Sequence, residues 1–154
     1  DVKNIIAQTL SITLNVPTGL SLVDQQQFME VLRQQGAAAG HDPAHTLGVY
    51  ARRGMRRGLY IQTGLPRTLL FQIAAHEYGH AWQGENCPLL RDALIREGFA
   101  EWTAYKTLQA KGKTKEMKLM TKRTDIYGQG LQWALTVEKR HGVEGVKESC
   151  RQAR

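Results

Sequence analysis

His76-Glu77-Tyr78-Gly79-His80 sets two imidazoles four residues apart with a carboxylate between them, and Glu97 and Glu101 repeat that spacing downstream. On an α-helix, residues four apart project from nearly one face, so His76 and His80 can reach a single metal ion. Glu77, one step round from His76, can lean over that ion without binding it. This is the pattern in which two histidines bind zinc and the intervening glutamate serves as general base for peptide hydrolysis. A catalytic zinc takes three protein ligands and keeps a fourth position for water, whose pKa it lowers towards neutrality. Two histidines therefore leave one ligand to find.

Glu97 is the candidate for that place. The sixteen residues between His80 and Glu97 allow the first helix to end, turn and deliver a carboxylate from a second helix. Glu101 falls one turn later on the same face, where a carboxylate can accept the free imidazole N–H of a metal-bound histidine and fix its tautomer. The expected centre is one Zn2+ per chain held by His76, His80 and Glu97, with Glu77 as base and Glu101 behind the ligands. An ordinary pair of charged helices would need motif, helical context and second-helix carboxylates to coincide by accident.

These side chains need two helices and a surface beside them. Pro66 suits a first helical turn, and Leu69, Leu70, Ile73 and Ala74 form the buried side of a helix predicted over residues 67–83. Helical spacing resumes from Leu90 to Lys111 through Leu94, Ile95, Phe99 and Trp102, so Glu97 and Glu101 ride on a second helix. Trp82 and Trp102 are read as packing the two together. Upstream, Ser11 to Val16 alternates polar with apolar residues and stops at Pro17, predicting that the fold opens with a half-buried strand. Asp24 is a candidate cap for a helix over 25–35, after the short apolar run Leu20 to Val23. Thr46 to Arg52 and Gly58 to Thr63 read as a hairpin joined by an arginine-rich turn. Thr124 or Asp125 caps a last helix running to Arg140 and closed by Gly142. This order predicts one α+β domain over residues 1–154, with a small antiparallel or mixed sheet packed on the metal helix and a helical C-terminal half. Gly58, Leu59, Tyr60 and Ile61 are expected to form an exposed edge strand beside the site, where an extended peptide substrate could pair.

At 154 residues and 42% hydrophobic, the chain suits a single core. No apolar run approaches the roughly 18 residues that span a bilayer, so no membrane partner is expected. The two cysteines, Cys87 and Cys150, are too few for a disulfide scaffold. Two reduced thiols in a cytoplasmic protein are expected, with a Cys87–Cys150 pair as the alternative. A net charge of +7 favours acidic partners, with basic residues grouped at Arg52 to Arg57 and from Lys106 to Arg123. Neither group matches a nucleic-acid fold motif, and a solvated basic face is the preferred reading over nucleic-acid binding.

Glu97-Gly98-Phe99-Ala100 after the histidine motif resembles the gluzincin metallopeptidases, which take their third zinc ligand from such a glutamate. The block Gly64-Leu65-Pro66-Arg67, Ala75-His76-Glu77, His80-Ala81-Trp82, Leu90 and Glu97-Gly98 resembles the plant DA-one peptidases, a family of ubiquitin-activated LIM-domain metallopeptidases. Tyr127-Gly128-Gln129-Gly130 is similar to a run in that family's C-terminal region, and Asn15-Val16-Pro17 looks like its entry segment. The resemblance implies a zinc endopeptidase acting on proteins, with His76, His80 and Glu97 as ligands and Glu77 as base. The chain carries no LIM cysteine clusters and no ubiquitin-interacting helices, so ubiquitin enters as a partner by family analogy alone.

A donor for the developing oxyanion is also needed. Tyr127, in a glycine-flanked turn, is the first candidate and His141 the second. His41 and His45 flank Pro43 and read as solvent-facing loop histidines. The rival to an enzyme is a catalytically weak or latent zinc-binding module that recruits an acidic partner or nucleic acid through its basic surface. Glu77 weighs against it, because a structural zinc site needs no base and closes its fourth position.

Overall fold

The computed structural model describes residues 1–35, 47–53 and 55–154. Within them the chain runs α1 (Val2–Leu10), β1 (Gly19–Val23), α2 (Gln25–Gln34), β2 (Gly48–Arg53), β3 (Arg56–Gln62), α3 (Arg67–Asn86), α4 (Ala93–Ala110), α5 (Thr114–Thr121) and α6 (Ile126–Gln152). This is an α+β domain with a three-stranded mixed sheet and a helical C-terminal half. His41 and His45 lie outside the described residues.

The chain opens with a helix, not with the strand expected over Ser11 to Val16. Ile6 and Leu10 bury one face of α1, which ends at Ser11 in the left-handed region (φ 51°). In the following segment Ile12 is buried, and the backbone N–H groups of Asn15 and Val16 donate to the Glu85 carboxylate at 2.9 and 2.7 Å. Those donors are satisfied by a side chain of α3, so the alternating pattern has no ladder to join. The strand is the next apolar run, Gly19–Val23.

Asp24 caps α2 as expected: its Oδ1 accepts from Gln27 N–H at 2.8 Å, and the Gln27 side chain accepts in return from Asp24 N–H. β2 and β3 form the expected hairpin, in the register Tyr50 opposite Leu59. β3 is also parallel to β1, with Leu20 opposite Leu59, giving the order β1-β3-β2. Gly58, Leu59, Tyr60 and Ile61 therefore belong to the central strand, and the expectation that they form an edge is incorrect. With β1 filling the far side of β3, β2 becomes the edge that faces α3.

Three helices carry the site. Trp82 of α3 stacks on Phe99 of α4 at 4.9 Å between ring centroids, and Phe99 meets Trp102 at 5.6 Å. Such rings bury about 150–250 Å² each, enough to dominate the contact between two helices. The buried Trp102 N–H is satisfied by Glu138, which also accepts from Lys106 at 2.8 Å. α4 and α6 approach at backbone contact: a Cβ on Gly98 would stand 2.4 Å from the Gly130 carbonyl oxygen. Gly98, next to Glu97, and Gly130, three residues past Tyr127, thus let the two helices close on each other.

Two features of this half lie beyond the sequence expectation. The lysine-rich stretch contains α5, anchored by the buried Met120. α6 does not stop at Gly142; it breaks there (φ 71°) and continues to Gln152, burying Val146 and Cys150. No helix among the described residues is long and apolar enough to cross a membrane.

Candidate metal centre

α3 projects His76 and His80 from one face, and α4, started by the Asp92 cap on Ile95 N–H at 3.0 Å, brings Glu97 opposite them. His76 Nε2 and His80 Nε2 are 3.0 Å apart, and Glu97 Oε2 lies 3.4 Å from the first and 3.2 Å from the second. In a tetrahedral zinc site with ligand distances of about 2.0–2.1 Å, neighbouring ligand atoms stand about 3.3–3.4 Å apart. Glu97 Oε2 is buried and has no hydrogen-bond partner among the described residues. Two ring nitrogens facing each other and an orphaned carboxylate oxygen are what a cation between them would resolve. His76, His80 and Glu97 could together hold a metal ion.

Behind the ligands, Glu101 Oε1 is 2.7 Å from His76 Nδ1, and Gln83 Oε1 is 2.9 Å from His80 Nδ1. Both oxygens accept, so each Nδ1 carries the proton and each Nε2 lone pair is turned to the centre. Gln83 is fixed in turn by donating from Nε2 to the Arg96 carbonyl at 2.9 Å.

Burial alone would depress the pKa of His76, but the hydrogen bond to Glu101 and the nearby carboxylates of Glu97 and Glu77 outweigh it and raise the value well above 6.5. Burial would raise the Glu97 carboxyl, yet His76 and His80 hold it well below the usual carboxylate range. These shifts favour a second proton on His76, at Nε2, while no metal is bound, and a metal entering the centre must displace it.

Glu77 is 8% exposed and ligates nothing in the trio. Its Oε2 accepts from Tyr50 N–H of β2 at 2.8 Å, across the 27 residues that separate them in sequence. β2 comes this near because residue 48 is glycine: a Cβ there would meet Ile73 Cγ2 at 2.4 Å and Glu77 Cγ at 3.2 Å. A cavity of about 320 Å³ opens beside Glu77, His80 and Glu97, walled by Val49, Tyr50, Gly84, Cys87, Leu90 and Arg96.

Tyr127 joins this group, with its ring centroid 6.1 Å from that of His76 and the Arg123 guanidinium 4.7 Å over its ring. Burial first, and the carboxylates of Glu97, Glu101 and Glu77 with it, push the phenol pKa up, so the hydroxyl keeps its proton. His141 is not brought to the site. It is exposed beside the break at Gly142, and no hydrogen bond, ion pair or ring contact links it to another described residue.

Sequence reasoning missed Gln83, the Tyr50 amide and Arg123. Gln83 had a signal, since a residue three past His80 lies on its helical face and can reach its ring. The Tyr50 contact is a backbone group on another element and leaves no trace in residue types.

No family profile matches the chain, and no curated protein or solved structure is significantly similar to it.

Proposed function

We propose that this protein is a zinc-dependent endopeptidase that hydrolyses peptide bonds of protein substrates. The observation that carries the reading is Glu77: a buried carboxylate beside a three-ligand centre that it does not join. A closed structural site takes four protein ligands and has no use for such a group. Two imidazoles and one carboxylate in near-tetrahedral array favour zinc among common divalent ions. The resemblance to gluzincins and to the DA-one peptidases adds to this.

Zinc, when bound, supplies Lewis acidity and lowers the pKa of water in its fourth position. Glu77 then has one oxygen held by Tyr50 N–H and the other free to take a proton from the attacking water and pass it to the leaving amine. The protonated Tyr127 hydroxyl is the donor for the developing oxyanion. An extended substrate is assigned to the cavity beside Glu77 and His80, walled by Val49 and Tyr50 of β2, whose outward N–H groups at Tyr50 and Arg52 are already taken by Glu77 and Gln35. The resemblance to the DA-one peptidases, which implies an endopeptidase, is why one is preferred.

The test is cleavage of a denatured protein mixture by zinc-loaded wild type and Glu77→Gln. The variant should keep its zinc and lose about 10²–10⁴-fold in rate. Full activity in Glu77→Gln would overturn the mechanism, and zinc-replete wild type without cleavage would favour the latent zinc module.

A further inference from the structure

Cys87 and Cys150 are 63 residues apart in sequence, yet their Sγ atoms stand 3.4 Å apart in the buried core. Cys87 is the C-terminal cap of α3, the helix that carries both histidines, and Cys150 lies on the part of α6 beyond the Gly142 break. The pair touches the metal centre through one side chain. Gln83 donates from Nε2 to Cys150 Sγ at 3.4 Å while its Oε1 accepts from His80 Nδ1 at 2.9 Å. Cys87 also lines the cavity that opens beside Glu77 and His80, so a small solute entering there comes against this residue.

We propose that Cys87 and Cys150 are a redox-active dithiol, oxidised by a small hydroperoxide to a reversible disulfide that clamps α3 to α6, and that Gln83 transmits its state to His80. This goes beyond the peptidase reading and requires only that His76, His80 and Glu97 hold a metal.

The chemistry assigns unequal roles. The Cys150 thiol, and secondarily Arg151, lower the pKa of Cys87, whereas the nearby Cys87 and burial raise that of Cys150. Cys87 is therefore the attacking thiolate and Cys150 the resolving thiol. Cys87 Sγ attacks one peroxide oxygen, the O–O bond breaks, and the product is a Cys87 sulfenic acid with one water (or alcohol). Cys150 sulfur then attacks Cys87 Sγ, the S–O bond breaks, and a second water leaves with the remaining thiol proton. Two thiols are oxidised by two electrons and one peroxide is reduced. The sulfurs must close from 3.4 Å to a bond of about 2.05 Å, a shift within reach of side-chain rotation.

The bond would tie the end of the histidine helix to α6. Gln83 stays anchored on the Arg96 carbonyl, so the oxidised form should release zinc to a chelator more slowly than the reduced form. Its thermal midpoint should rise by roughly 5–10 °C, the scale of a long closed loop in a domain of this size.

The experiment is stoichiometric hydrogen peroxide added to reduced, zinc-loaded protein, read by intact mass, peptide mapping, thermal melting and zinc release to a chelator. The expected result is a mass loss of about 2 Da per chain, a Cys87–Cys150 cross-linked peptide and slower zinc release, all reversed by dithiothreitol. Cys150→Ser should instead leave a Cys87 sulfenic acid trapped by a dimedone probe, and in Gln83→Leu, which releases zinc faster from the outset, the disulfide should form with no further change in that rate. Thiols that stay reduced in the folded wild type, or that oxidise to sulfinic acid without a cross-link, would overturn the redox pair. A wild-type disulfide with unchanged zinc release would overturn the link to His80. All these readouts are independent of peptidase activity.

Discussion

The two sides of the candidate metal centre are built with different forces. On the α4 and α6 side, charged groups do the holding: Glu101 grips His76 at 2.7 Å, and the Arg123 guanidinium lies over the neutral Tyr127 ring. On the α3 and β2 side, neutral groups do the holding: the Gln83 amide of α3 positions His80 at 2.9 Å, and the Tyr50 N–H of β2 positions Glu77. Charge-assisted hydrogen bonds are shorter and about twice as strong as neutral ones, so His76 is the fixed ligand and the neutral side is the adaptable one. The adaptable side also borders the cavity. In the proposed mechanism the carboxylate there takes up and releases a proton, and one backbone amide suits it better than a fixed ion pair.

The largest effect that would sharpen this contrast is on turnover. Tyr127→Phe, on the charged side, should lower kcat by about 10²-fold with zinc affinity unchanged, because in the proposed mechanism the phenol donates to the reacting group and not to the metal. An unchanged kcat would remove Tyr127 from the chemistry and leave the charged side purely structural. Next come the two groups behind the histidines. Glu101→Ala should weaken zinc affinity towards the upper end of the usual 10–100-fold range, and Gln83→Ala towards the lower end. Equal losses, measured by competition with a chromophoric chelator, would erase the distinction between the two sides.

The smallest expected effect is on pH dependence. His76 is raised above its ordinary 6.5 in the metal-free fold, so its proton contributes stability that is complete below that value and lost as pH rises through the folded value. Zinc needs the neutral ring, so its affinity should climb with pH over the same window. Calorimetry in buffers of different ionisation enthalpy should record proton release at pH 7 in wild type and less of it in Glu101→Ala. Release that is identical in the two proteins would contradict the grip of Glu101 on His76.

The centre was more legible than its surroundings. His76, His80, Glu97 and Glu101 could be read because their geometry is set by helical periodicity within two elements. Gly98 and Gly130 could be seen as motif residues, but their backbone contact depends on the crossing of α4 and α6. The sheet was harder. Ser11 to Val16 has a strand pattern, yet Glu85 from α3 takes its backbone donors, while Leu20 and Leu22 lie in β1 with half their surface exposed. Which strand becomes the edge depends on strand order, and no local pattern in Gly58 to Ile61 declares that both of its sides are paired. The closeness of Cys87 to Cys150 is likewise a product of the turns beyond Gly142.

Zinc titration against a competing chelator, run on wild type, His80→Ala, Glu97→Ala and Glu77→Gln, tests the centre most directly. Wild type and Glu77→Gln should each bind one zinc with similar affinity, while His80→Ala and Glu97→Ala should bind it at least about 10²-fold more weakly. Wild-type affinity in either His80→Ala or Glu97→Ala would contradict the three-ligand centre on which the proposed chemistry stands.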